Sequence, residues 1–196
     1  MEITAAYIWS QIFTVAEYSL LGLSYLARRR KLVVVLDIFS MICGIIAFVL
    51  LGADLGVGMS IVILLANFYY LWQEGKPELR KRRYWWDYVM LAVILAVILI
   101  ITLFTFEGWL SLLSVAATVL YEISIWQNST KVYKMLGIPV AFCWMSYNGF
   151  VLSPFGVICE FIMLTVSIYG YVKEVKSHKK RIRKKSQRSR SKAKKR

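Results

Sequence analysis

Histidine occurs once in this chain, at position 178, cysteine and proline three times each, and basic side chains are missing from most of its length. Each scarcity closes a route. With the one His inside a run of lysines and arginines, there is no Ser/His or Cys/His pair for nucleophilic catalysis, no HExxH and no His-based metal set. Cys43, Cys143 and Cys159 form no CxxC pair and stand inside apolar stretches, so they read as packing residues that carry no information on redox compartment. Asp37 is the one aspartate suited to intramembrane aspartyl chemistry, which needs two. Gly56-Val57-Gly58 is too short for a phosphate-binding loop. The sequence thus predicts no enzyme, no metal and no cofactor.

The basic charge that is present falls into four blocks. Of the 25 Lys and Arg residues, four lie at 28–31, five at 76–83, two at 131 and 134, and fourteen at 173–196, with long apolar stretches between. The chain is 59% apolar and 18% charged, with a mean hydropathy of +0.58, which points to lipid as its solvent. Spans are predicted near 3–26, 32–51, 55–73, 88–106, 109–127, 132–149 and 155–173, lengths suited to a hydrocarbon core of about 30 Å. The four basic blocks alternate with this count without exception. Because basic residues near helix ends stay cytoplasmic, the first, third and fifth connections and the C-terminal tail are expected inside, and the N-terminus outside. Residues 1–6 lack a basic n-region, so the first helix is expected to persist in the mature protein.

The chain also repeats itself. Offset by 100 residues, 9–76 aligns with 109–176 without a gap, and fifteen of the 68 positions are identical. That is about twice what composition alone gives an apolar chain. Trp9/Trp109, Ser24/Ser124, Lys31/Lys131, Cys43/Cys143, Gly56/Gly156 and Tyr69/Tyr169 are among the matches. The expected architecture is therefore an all-α polytopic membrane protein of seven transmembrane helices. A first three-helix repeat occupies 1–73, a cytoplasmic loop and linker helix 74–108, a second repeat 109–173 and a disordered basic tail 174–196. The linker returns the chain to its starting side, so the two triads are parallel, in a 3+1+3 order.

Polar groups inside the spans mark the candidate site. Glu17, Asp37, Glu122 and Glu160 lie within apolar stretches, where a carboxylate costs about 2.5 to 3.5 kcal/mol at a helix centre. Asp37 and Glu122 stand close to the cytoplasmic ends, where reaching the interface or pairing with 28–31 and Lys131 is the competing reading. Ser111, Ser114, Thr118 and Glu122 share one face of span five, and Gln11, Thr14, Tyr18 and Gly22 take the same positions in span one. Gly156, Glu160, Ser167 and Gly170 in span seven match Gly56, Ser60, Asn67 and Tyr70 in span three. Close helix packing explains the small residues equally well, and the acids favour a hydrated cavity. In span six Pro139 predicts a kink. Beyond it Cys143, Trp144, Tyr147 and Asn148 form a face able to stack on a ring and bond its polar groups, or else an interfacial aromatic belt.

Cys143-Trp144-Met145-Ser146-Tyr147-Asn148 followed by Gly156-Val157 resembles the sixth helix of SWEET sugar transporters. Over 109–173, with Tyr121-Glu122, Trp126-Gln127, Trp144, Tyr147-Asn148 and Glu160-Phe161, the chain looks closest to the bacterial inner-membrane YgjV family, and Leu50-Leu51-Gly52-Ala53 extends the match more weakly into the first half. That resemblance implies a seven-helix carrier fold akin to SWEET and PnuC-type transporters, placed in the bacterial cytoplasmic membrane. It brings no substrate with it. The chain departs from the SWEET pattern in having only Pro139 within its spans and no Asn in span seven to match Asn67.

The expected function is a facilitator for a small polar or ring-containing solute, working by alternating access between the triads. Trp144 stacks on the solute, and Tyr147, Asn148 and Asn67 bond it. Glu17 or Glu160 carries a proton or meets a cationic group, with Glu122 on the same polar stripe. The competing class is a scaffold acting through the basic tail. From His178 onward the only sizeable aliphatic residue is Ile182, so the tail is expected to adhere to anionic lipid headgroups. No aromatic residue interleaves its charges for stacking on nucleic acid. The oligomeric state is left open, since a covalently joined repeat allows a monomer to close the pocket.

Overall fold

The computed structural model describes residues 5–52, 54–76, 84–104, 108–109, 111–150 and 154–193, and among these all regular structure is helical. Seven helices follow in order: α1 (Ala5–Leu26), α2 (Arg30–Leu51), α3 (Asp54–Glu74), α4 (Trp85–Phe104), α5 (Ser111–Trp126), α6 (Thr130–Phe150) and α7 (Pro154–Ala193). Three segments are long and apolar enough to cross a membrane by those criteria, namely Arg30–Leu51, Trp85–Phe104 and Gly156–Lys179. In α5 the apolar stretch Leu112–Trp126 is shorter.

Local chemistry sets the helix ends. At the C-terminus of α2, Gly52 takes the left-handed conformation (φ 67°) and its N–H reaches the carbonyls of Phe48 and Val49, a cap that a side chain would strain. The chain between α4 and α5 also turns through a positive-φ glycine, Gly108 at 112°. Asp87, in the first turn of α4, accepts the backbone N–H of Tyr84 at 3.0 Å, the reciprocal half of a capping box. Pro154 opens α7, where its missing N–H costs nothing. Pro139 stands inside α6, which nevertheless runs unbroken from Thr130 to Phe150.

Packing is sequential and then circular. α1 lies along α2 and α2 along α3, and in the second half α5 lies along α6 and α6 along α7. α1 also meets α7 and α3 meets α5, so six helices form a closed ring, with α4 against α3 and α5. The two closing junctions differ. α1 and α7 approach over a longer contact than α3 and α5 do. At the first junction Gly170 leaves no room for a Cβ against the carbonyl oxygen of Tyr25, and Gly22 faces the sulfur of Met163. Such small residues let helix backbones approach closely.

One ion pair ties each half at its basic end. Arg30 Nε lies 3.8 Å from Glu74, with both side chains buried, and Lys134 Nζ lies 3.2 Å from Glu174. Glu74 and Glu174 are one of the identities at the 100-residue offset, and their partners sit one helical turn apart in that register. Lys134, expected in a cytoplasmic connection, is thus a buried group joining α6 to α7, whereas Lys131 is exposed.

α7 continues as one helix through the basic segment to Ala193. Lys, Arg, Gln and Ala have high intrinsic helix propensity, and the nucleation cost is met once within the apolar part of the same helix. At 1.5 Å per residue this helix measures about 60 Å, twice a hydrocarbon core.

Candidate functional site

The polar stripes read from the sequence turn inward. Ser60, Asn67 and Tyr70 on α3, Thr118 and Glu122 on α5, and Glu160 and Ser167 on α7 are all buried. They face a core in which Tyr25, Val33, Val34, Ile38, Tyr121 and Tyr133 are the neighbouring buried side chains.

At the centre of the basic half stands Asp37, fully buried on α2. Tyr133 of α6 donates its hydroxyl to Asp37 Oδ1 at 3.1 Å. The same phenolic oxygen lies 2.6 Å from Ser24 Oγ of α1. The ring of Tyr133 stacks on that of Tyr25, with centroids 4.8 Å apart and planes at 18°. This close stack needs Gly137, where a Cβ would run into the Tyr25 ring. One tyrosine of the second half therefore bridges two helices of the first. Arg30, whose ion-pair partner is Glu74, also feels the charge of Asp37.

Two helical turns from Tyr25 along α1, Tyr18 donates its hydroxyl to Glu160 Oε1 of α7 at 3.1 Å. Beside it the half-buried Glu17 lays its carboxylate against Gly44 of α2, where a Cβ would come within 2.8 Å of Oε1. Ser40 of α2 donates to the carbonyl of Glu17 at 3.1 Å.

Among the described residues, four buried side chains in this region hold polar atoms without a hydrogen-bond partner: both carboxylate oxygens of Glu122, both amide atoms of Asn67, the hydroxyl of Tyr121 and Asp37 Oδ2. Glu122 is 1% exposed and Asn67 not at all. Tyr121 lies within electrostatic reach of Asp37, Glu122 and Glu17, and Glu122 within reach of Asp37. Leaving such groups bare costs about 1 to 3 kcal/mol each, more for a charge. Structures that keep them commonly use them, by taking up a proton, a water or a ligand.

The residues named from the sequence separate into two places. Glu17, Glu122, Glu160 and Asn67 belong to the interior just described. Trp144 and Tyr147 pack edge to face with centroids 5.8 Å apart, partly buried, and lie about 16 Å or more along α6 from Tyr133. The side chain of Asn148 falls outside the described residues. Among the described residues Glu122 makes no ion pair with Lys131, and Asp37 is fully buried.

Sequence reasoning missed Tyr133, Tyr25, Tyr121 and Ser24. Tyrosine beside a basic connection has the composition of an interfacial belt, and only the spacing of Tyr133 from the buried Lys134 and Gly137 could have hinted at an inward face. Among the described residues no group of three or more His, Cys, Asp or Glu side chains is placed to hold a metal ion.

No curated protein matches this chain. No solved structure matches it either. A family model described as a bacterial inner membrane protein, Imp-YgjV, matches residues 8–178. That span takes in α2 to α6, most of α1, α7 as far as His178 and every residue of the buried polar network, and the chain belongs to the Imp-YgjV family of bacterial inner membrane proteins.

Proposed function

We propose that this protein is a seven-span facilitator for a small polar solute, bound between two parallel three-helix repeats joined by α4. The observation that carries the reading is the set of buried, unsatisfied groups on Asn67, Tyr121 and Glu122. They sit on α3 and α5, the two helices that close the ring over its shorter contact. A bundle built only for stability gains nothing from a bare carboxyl group and a bare amide in its interior. A bundle that opens at one junction and closes over a solute requires them. The equivalent ion pairs of Glu74 and Glu174 fit two triads that move as rigid units, and rocking of one triad against the other gives alternating access. Trp144 and Tyr147 line the path at the far end of α6.

In this reading the basic ends of the helices face the cytoplasm, the N-terminus is outside, and the protein is neither an enzyme nor dependent on a cofactor. The basic part of α7 lies at the anionic headgroups of the inner leaflet. Uptake into proteoliposomes, assayed over a broad metabolite panel, tests the proposal. Time-dependent accumulation of at least one solute is expected, abolished in Glu122→Gln and slowed in Trp144→Ala. No flux of any solute overturns it.

A second reading, a scaffold acting through its basic end, is favoured by one observation, the continuation of α7 as a helix to Ala193. Truncation after Ser177 separates the two. A facilitator keeps its flux without that segment, and a scaffold loses its partner.

A further inference from the structure

The interior of the bundle holds more acidic side chains than basic ones. Asp37, Glu122 and Glu160 are buried and Glu17 is half-buried, and among the described residues none of the four has a basic side chain at ion-pair distance. The two buried bases are engaged elsewhere, Arg30 with Glu74 and Lys134 with Glu174. Arg30 lends part of its charge to Asp37. Among the described residues nothing basic pairs with Glu122.

Arg30 adds two N–H groups without hydrogen bonds, its Nε 3.8 Å from Glu74, while around Glu122 the unsatisfied atoms are mostly acceptors. Glu122 offers two oxygens and Asp37 its second, Tyr121 a hydroxyl that can accept or donate, and Asn67 an amide oxygen and an amide donor. An organic cation brings N–H donors to these oxygens and the opposite charge that lets a buried carboxyl ionise, which neither an anion nor a neutral polyol does.

The spread of the groups selects among cations. Among the described residues no three carboxylates converge as metal ligands do. The rings of Tyr25, Tyr121 and Tyr133 stand among the acids, and aromatic faces attract organic cations while packing against their carbon skeletons.

Resting on the facilitator reading, we propose that the solute is a small organic cation, an amine or guanidinium compound. Its charge lies between Asp37 and Glu122, and its carbon atoms lie against the buried tyrosine rings. The cation enters where α3 meets α5, and Tyr121 and Asn67 bond it from either side of that junction.

Calorimetric titration of the full-length protein in nanodiscs tests this, using butylammonium, methylguanidinium and tetramethylammonium against butanol and butyrate. Saturable binding is expected for one or more of the cations and for neither control. It should weaken at least about tenfold in Glu122→Gln and in Asp37→Asn, and be retained in Glu122→Asp. Because Glu122 makes no hydrogen bond within the protein, Glu122→Gln is expected to fold even where Asp37→Asn does not. No cation binding at millimolar concentration overturns the inference, as does cation binding that Glu122→Gln leaves unchanged. Butanol or butyrate binding without the cations also overturns it, and leaves the facilitator reading standing. Cation binding without flux in proteoliposomes upholds the site and overturns transport.

Discussion

Tyr133 carries a single hydroxyl that serves two helices of the opposite half, and its removal is the sharpest test of how the halves are held. In Tyr133→Phe, Asp37 loses its donor while staying fully buried. The expected loss is about 1 to 3 kcal/mol, the cost of a stranded buried acceptor, read by thermal or denaturant unfolding in detergent. Ser24→Ala removes the bond to Tyr133 while leaving Tyr133 on Asp37, and should cost less, about 1 kcal/mol. Equal losses would show that Asp37 does not depend on Tyr133. Gly137→Ala acts on the same cluster from the other side, because the new methyl group meets the Tyr25 ring. Overpacking of this kind costs about 1 to 3 kcal/mol. The acids and Asn67 were visible at this scale because a polar side chain in an apolar run has few places to go. The tyrosines were not, since a phenol is equally at home at a membrane interface and in a core, and one sequence does not say which end of the ring is wet.

The helices were legible from apolar length and from the basic residues that end them, and the inward faces of α3, α5 and α7 followed from spacing. What spacing could not supply is partnership between elements. Glu74 and Glu174 matched in the alignment but had no visible function, because their partners, Arg30 and Lys134, stand at different positions of the repeat. The structure makes the two pairs comparable but unequal, since the Glu74 side chain is 5% exposed and that of Glu174 17%. Glu74→Ala leaves Arg30 as an uncompensated buried charge and should cost about 3 to 5 kcal/mol. Glu174→Ala leaves Lys134 a wetter route to solvent and should cost less. Denaturant midpoints of the two variants check the order. At α4 the corresponding device is Asp87, which accepts from Tyr69 at 2.8 Å and from Gln73, caps its own helix, and offers its carbonyl to Trp126. Asp87→Ala should release α4 from α3 while leaving the ring intact, seen as faster proteolysis near residue 84 without loss of the Tyr133 cluster.

For the whole molecule, the partition of basic residues and the helix count make one joint statement, and it can be tested against a definite rival. If all seven helices cross, Trp109 is external, and Lys131 and His178 share the cytoplasmic side, because α6 and α7 carry the chain out and back. If only α2, α4 and the apolar part of α7 cross, the segments that stand out by length and apolarity, Trp109 and Lys131 fall on one side and His178 on the other. The second arrangement divides the basic blocks between the two faces, against the bias that orients membrane helices. It also exposes α1, α3, α5 and α6 to water, although they carry exposed Trp9, Phe68, Leu112 and Phe142. Single-cysteine variants Trp109→Cys, Lys131→Cys and His178→Cys, in a chain with Cys43, Cys143 and Cys159 replaced by Ala, decide between them. All three native positions are exposed. An impermeant thiol reagent should label only the Trp109 site on intact cells and both other sites in inverted vesicles. Lys131 labelled from outside, or on the side opposite His178, would break the seven-span ring and with it the enclosed site that the buried acids share.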